Sequence, residues 1–256
     1  MGASKSRPNL LILAGTTEAA ALARAVSAAG IAGTVSFAGR VERLPAQPLP
    51  QRVGGFGGVE GLEAYLREHR ITHVVDATHP FAVQMSAHAL AACTRLGLPL
   101  AALTRPPWQE VPGDHWIHVP DMAGAVAALD RPATRVMLAV GRMHLADFLP
   151  HPQHFYLLRL VEPAKAPLPF PQHHVVIDRG PFSVEADRRL LQEHAIALVV
   201  SKNSGGTGAY AKIVAARTLG LPVIMIDRAP RLDRLELESV AAVLEWLAHA
   251  DTDLGV

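Results

Sequence analysis

The chain has 256 residues, of which half are apolar and 18% are charged, and its formal net charge is +1. That length and apolar content suffice to bury a core without staples, and they exclude a disordered chain. The single cysteine, Cys93, excludes a disulfide framework and a cysteine-based zinc or iron–sulfur site, and the near-zero charge argues against a nucleic-acid partner.

Residues 2–7 are small and polar. The apolar run Leu10–Ala14 breaks at once into Gly15-Thr16-Thr17-Glu18. It is too short for a signal-peptide core, and no later run reaches the roughly 20 apolar residues of a bilayer span. A cytoplasmic protein with no membrane partner is expected.

Taken in chain order, the first half alternates short apolar runs with helical periodicity. Leu10–Leu13 reads as a buried strand, Thr17–Ala29 as a helix stopped by Gly30, and Thr34–Phe37 as a second strand. Arg52-Val53 leads into Gly54-Gly55-Phe56-Gly57-Gly58. A helix follows at Val59–His69, a strand at His73–Asp76, a helix at Pro80–Leu96 closed by Gly97, and a strand at Leu100–Leu103. The second half predicts strands at Val136–Val140, Phe155–Leu158, Val175–Ile177, Leu198–Val200 and Val223–Ile226. Its predicted helices are Asp121–Leu129, Met143–Leu149, Phe182–His194, Ala209–Leu219 and Leu237–His249. Strands alternating with helices indicate βαβ units and parallel sheets.

The halves also repeat each other in letters. Val59-Glu60, Glu68-His69 and Val74-Val75 recur as Val184-Glu185, Glu193-His194 and Val199-Val200, each at an offset of 125. Leu96-Gly97-Leu98-Pro99 recurs as Leu219-Gly220-Leu221-Pro222, and Arg105 and Pro107 as Arg228 and Pro230, at an offset of 123. Ordered matches at a nearly fixed offset point to two related α/β units. The predicted fold is therefore α/β, with two Rossmann-like parallel-sheet domains facing each other across a cleft. The predicted boundary gives 1–105 and 106–256, with the last helix free to pack on either.

Ligands of open α/β sheets bind beyond the carboxyl ends of the strands. Gly15-Thr16-Thr17 opens a helix straight after the first strand: Gly15 allows close approach, and a threonine cap leaves N–H groups and hydroxyls for a phosphate. The second strand ends in Ser36-Phe37-Ala38-Gly39-Arg40, without the acid that would hold an NAD ribose, and with an arginine suited to a 2′-phosphate. A dinucleotide bound here is thus expected to be NADPH. Gly55 in the glycine run and Thr78 after the fourth strand complete the expected cofactor set. His79 is a candidate chemical participant. In the second half, Arg142 and Arg179 suit carboxylates, and Lys202-Asn203-Ser204-Gly205-Gly206 reads as an anion nest.

Other signatures are absent: there is no P-loop, no G-x-S-x-G elbow, no H-E-x-x-H and no tyrosine with a lysine four residues on. No metal site is expected. Alone, these loops are also compatible with a non-catalytic two-domain binder of a small anion, or with a nucleotide-sugar enzyme.

The ordered set Leu11–Glu18 (LILAGTTE), Ser36–Arg40 (SFAGR), Arg52–Glu60 (RVGGFGGVE), Val74–Pro80 (VVDATHP), Arg105–Trp108 (RPPW), Arg179–Phe182 (RGPF) and Lys202–Gly206 (KNSGG) resembles the precorrin-6A reductase family. The resemblance runs from about residue 9 to about residue 230. It implies NADPH-dependent reduction of one ring double bond of precorrin-6A, giving precorrin-6B, in cobalamin biosynthesis. A cobalt-containing counterpart serves the anaerobic pathway. It further implies cofactor binding by residues 1–105, and substrate binding by residues 106–256 through Arg142, Arg179, Asn203, Ser204, Gly205 and Gly206. The partner is a small tetrapyrrole. Lys202 and His79 are the candidate proton donors. Ala14 stands where a second glycine before Gly15 is expected, and the oligomeric state is left open, a monomer included.

Overall fold

The computed structural model describes residues 7–39, 46–164 and 166–250. It divides into two compact units, residues 1–105 with 231–256, and residues 106–230.

Unit 1 contains a six-stranded sheet in the order β12-β5-β4-β1-β2-β3. Its strands are β1 (Asn9–Leu13), β2 (Ala32–Phe37), β3 (Gln51–Val53), β4 (His73–Asp76), β5 (Leu100–Leu103) and β12 (Leu235–Leu237). Unit 2 contains a sheet in the order β6-β11-β10-β7-β8-β9. It is built from β6 (Trp116–Val119), β7 (Arg135–Ala139), β8 (Phe155–Leu160), β9 (His173–Ile177), β10 (Leu198–Lys202) and β11 (Val223–Ile226). Every pairing in both sheets is parallel. Each order is the doubly wound one, with the reversal between β1 and β4 in unit 1 and between β7 and β10 in unit 2.

The central strands are apolar because helices cover them. Leu10, Ile12 and Val75 bury one face of sheet 1 against Ala19, Leu22, Ala23 and Val26 of α1 (Thr17–Ala28) and Val243 and Leu247 of α7 (Val240–Ala250). Leu11, Leu13 and Val74 bury the other face against α2 (Val59–Glu68) and α3 (Val83–Leu96). In unit 2, Met137, Leu157 and Val199 pack against Leu191 of α5 (Val184–Glu193) and Ile213 of α6 (Ala211–Thr218). A short helix, α4 (Met122–Ala127), is capped by Asp121, which accepts from the Gly124 N–H at 2.8 Å.

The repeat read from the letters is also a repeat of backbone. The chain leaves α2 through Arg70 at φ 49°, and leaves α5 through Ala195 at φ 46°. Both are non-glycine residues in the left-handed region, which is uncommon, and they stand at the same offset as the matched letters. Gly97 and Gly220, at φ 62° and 64°, end the helices that follow.

The structure corrects several expectations. The segment from Arg231 on groups with unit 1, including the last helix, which the sequence leaves free to pack on either domain. The edge strands β3, β6 and β12 lie outside the strands expected from the sequence. β6 follows β5 in the chain but pairs with β11, and β12 follows β11 but pairs with β5. Each sheet thus takes its sixth strand from the other repeat. Leu237, expected to start a helix, ends β12; the helix begins after Ser239, whose Oγ accepts from the Ala242 N–H at 3.1 Å. Met143–Leu149 forms two 3-10 turns, Arg142–His144 and Ala146–Phe148, because the stretch between Gly141 and Pro150 is too short for a stable helix. The third helix begins at Val83 and not Pro80, since His79–Ala82 is a turn closed by Ala82 N–H donating to the His79 carbonyl at 2.7 Å.

Candidate active site

The expected cofactor residues of unit 1 lie at the carboxyl edge of its sheet. Thr16 caps α1: its Oγ accepts from the Ala19 N–H at 3.2 Å and donates to the Ala77 carbonyl at 2.9 Å. One hydroxyl therefore ties the loop after β1 to the loop after β4, across the point where the strand order reverses. Gly15 and Thr17 are exposed there. A small open depression there is lined by Thr16, Glu18, Thr78, Pro80, Leu103, Thr104 and Arg105. Glu18 would oppose an anion in the first turn of α1, but Arg105 pairs with it at 2.6 Å.

Thr78 is held by Asp76. The Asp76 carboxylate is buried, and its Oδ1 accepts from the Thr78 N–H at 3.1 Å and the Thr78 hydroxyl at 2.6 Å. Its Oδ2 accepts from Ser86 Oγ at 2.5 Å and from Arg234 at 2.5 Å. His79 is half-buried beside this turn, and its Nδ1 accepts from the Phe81 N–H at 3.2 Å.

Sequence reasoning passed over Arg52. Its guanidinium donates to Ser36 Oγ at 3.1 Å, to the Gly54 carbonyl at 2.6 Å and to the Gly55 carbonyl at 2.8 Å. It also sits 3.7 Å from the Phe56 ring centroid. The glycine run is folded around this arginine, and Ser36 is buried beneath it. Gly61 follows from the same turn: a Cβ there would lie 1.7 Å from the Phe56 carbonyl oxygen. Arg40 lies outside the described residues.

In unit 2, Arg142 and Arg179 are exposed beyond the ends of β7 and β9. Lys202 is half-buried at the end of β10, whereas Asn203 and Ser204 are buried. The Asn203 side chain accepts from the Trp108 N–H at 2.7 Å and donates to the Trp108 carbonyl at 3.0 Å. Trp108 Nε1–H donates to the Gly206 carbonyl at 2.7 Å, and Arg228 donates to the carbonyls of Asn203 and Ser204 at 2.9 and 3.0 Å. Gly205 has φ 66°, and a Cβ on it would lie 2.2 Å from the Pro106 carbonyl oxygen. Residues 203–206 are thus clamped from behind by residues 106–108 and 228. That clamp explains why the separate motifs around Trp108 and Asn203 occur together.

Buried charge lies under the same edge. Arg159 on β8 pairs with Asp187 on α5, and Lys212 on α6 donates to the Ala209 carbonyl at 2.6 Å with its ammonium 5.0 Å from the Trp108 ring centroid. Burial pushes the Lys212 ammonium down to about 7, with Asp187 opposing that shift and Arg159 adding to it. His154 is a core residue: Nδ1 accepts from the Thr134 N–H at 3.1 Å, which leaves Nε2 to donate to the Leu129 carbonyl at 2.9 Å. Among the described residues no group of three or more histidine, cysteine or acidic side chains is placed to hold a metal ion, and no helix is long and apolar enough to cross a membrane.

The chain is similar to known proteins over nearly its whole length. Residues 9–248 match the family model described as precorrin-6x reductase CbiJ/CobK. The chain is 53% identical over 248 residues to a precorrin-6A reductase of Rhodobacter capsulatus, covering 96% of this chain and 99% of that one. It is 29% identical over 253 residues to a cobalt-precorrin-6A reductase of Priestia megaterium, covering 94% and 97% of the two chains. A solved structure of a CobK precorrin-6A reductase superposes with a TM-score of 0.90 at 53% identity, covering 94% of this chain and 96% of that one. By sequence over nearly its whole length and by fold, the chain belongs to the precorrin-6x reductase CbiJ/CobK family.

Proposed function

We infer that this protein reduces precorrin-6A in cobalamin biosynthesis, with NADPH as the reductant. The observation that carries the reading is the 53% identity to a precorrin-6A reductase across 96% of the chain, together with a shared fold. The cobalt-free substrate is favoured over the cobalt form because identity falls to 29% for the cobalt-precorrin-6A reductase.

The residues of unit 1 fit a dinucleotide. Gly15 is open to the backbone approach of a pyrophosphate, and the first turn of α1 presents its N–H groups beside the hydroxyl of Thr17. Arg105 offsets the one acid in that turn. Thr78 lies across the reversal point, held there by Asp76. Ser36 and Gly55 border the same edge through Arg52, and Arg40 follows β2 as the residue suited to a 2′-phosphate. NADPH, when bound, supplies the hydride.

Unit 2 is assigned the substrate. Arg142 and Arg179 take carboxylates at the periphery of the macrocycle. The clamped residues Asn203, Ser204, Gly205 and Gly206 act as a rigid backbone cradle, their side chains serving the clamp more than the ligand. Lys202, next to that cradle, and His79 in unit 1 are the candidate donors of the proton that accompanies hydride. The protein is assigned to the cytoplasm, without a nucleic-acid partner.

The test is anaerobic turnover of precorrin-6A with NADPH, followed by loss of nicotinamide absorbance, with NADH and cobalt-precorrin-6A as parallel arms. Turnover confined to precorrin-6A with NADPH is expected. No turnover of either corrin substrate would overturn the activity, and equal use of NADH would overturn the cofactor.

A further inference from the structure

The sharpest unexplained feature is the buried ion pair of unit 2. Side-chain exposure is 9% for Arg159 and 2% for Asp187. The pair is incompletely satisfied: Arg159 Nε and Asp187 Oδ2 are both buried with no hydrogen-bond partner. A buried pair with polar atoms left over is a poor stabiliser, since desolvation offsets most of its attraction. Two apolar residues would serve a core better. The pair therefore calls for a geometric reason.

That reason is visible in what Arg159 touches. Its guanidinium carbon sits 4.2 Å from the centroid of the Phe182 ring. The ring in turn supports the turn before it, because a Cβ on Gly180 would lie 3.3 Å from the Phe182 ring and 3.3 Å from the Gly208 carbonyl oxygen. Arg179 is the next residue and is exposed at the carboxyl edge of the sheet. Contacts thus run from Asp187 through Arg159 to Phe182, whose ring lies beside Gly180, the residue that follows Arg179 in the chain. Asp187 fixes the guanidinium plane, and a planar cation fixes the ring lying over it.

We propose that Asp187, Arg159 and Phe182 are positioning residues for substrate, holding the Arg179–Phe182 turn in the one arrangement that presents Arg179 to a carboxylate of the tetrapyrrole. This deepens the proposed function and rests on its assignment of Arg179 to the substrate. Neither the ion pair nor the ring touches substrate; they act through the turn.

Steady-state kinetics with precorrin-6A and NADPH test it in four variants. Arg179→Ala is expected to raise KM for precorrin-6A about tenfold or more, as is Phe182→Leu, while KM for NADPH stays within about twofold. Phe182→Tyr keeps the ring and is expected to match the parent. Arg159→Lys keeps the charge beside Asp187 but loses the planar stack, and is expected to follow Phe182→Leu; it decides the question should Phe182→Leu not fold. An unchanged KM in Arg179→Ala would overturn the assignment of Arg179 and the inference with it. A shifted Arg179→Ala beside an unshifted Phe182→Leu and Arg159→Lys would overturn the inference alone. Equal losses for both substrates in the Phe182 and Arg159 variants would reduce the cluster to a folding element, and so overturn it as well.

Discussion

Arg234 donates to the buried carboxylate of Asp76 at 2.5 Å, although 158 residues separate them. Arg234 arrives with the segment that returns to unit 1 to supply β12, so the returning chain is fastened to the turn that carries Thr78 and His79. Asp76 is also held by Ser86 and by Thr78 itself. The carboxylate therefore joins the turn after β4, the first turn of α3 and the distant returning segment.

Removing that arginine strands a buried charge. Arg234→Ala should lower stability by about 3 kcal/mol, since the neutral donors from Thr78 and Ser86 remain but the counter-charge is gone. Urea unfolding reads this directly. A change of less than about 1 kcal/mol would mean that the pair is compensated by solvent.

Asn203 satisfies both backbone groups of Trp108. Asn203→Ala leaves that N–H and carbonyl buried and unmade, which should cost about 2–4 kcal/mol. Because the clamp also sets the backbone beside Lys202, KM for precorrin-6A should rise in the same variant while KM for NADPH does not. An unaltered unfolding midpoint would show that Trp108 finds other partners.

Lys212 should make stability depend on pH. Its folded value, about 7, is below the ordinary 10.5. Between those values the unfolded chain binds more protons than the folded one, so stability rises with pH across that window. The groups facing the ammonium are Asp187, Arg159 and the Trp108 ring. Lys212→Met abolishes the slope that this residue contributes. The stability difference between Lys212→Met and the parent, measured by denaturation at a series of pH values, should therefore shift as pH rises above about 7. A difference constant with pH would show that the ammonium is not desolvated.

Arg40 follows β2 in the sequence and is the residue that the proposed NADPH reading assigns to the 2′-phosphate. Arg40→Ala should weaken NADPH binding by about 1–3 kcal/mol and leave NADH binding almost unchanged. Calorimetric titration with both cofactors checks it. Equal losses would move recognition of the phosphate elsewhere.

For Lys202, replacement by alanine should reduce turnover or substrate binding more than cofactor binding. Single-turnover rates beside NADPH affinity separate the two. Unaltered rates would leave Lys202 as a support for the clamped loop.

The amino-acid sequence determined what is local. Apolar runs bounded by glycine and proline located nine of the twelve strands, because a buried parallel strand is apolar throughout and a turn must follow it. The repeated letters disclosed two related units, and the loops after the strands disclosed which residues face the sheet edges. Tertiary structure alone decided the rest. β3, β6 and β12 are edge strands of 3, 4 and 3 residues, too short to carry a periodic signature, and the partners of β6 and β12 are chosen by packing rather than by order in the chain. For the same reason the exchange of sixth strands leaves no mark in the repeat. The partners of Asp76, Ser36, Trp108 and Asp187 were likewise not legible. A hydrogen bond or ion pair between residues far apart in sequence has no spacing to read; only the folded chain brings its two ends together.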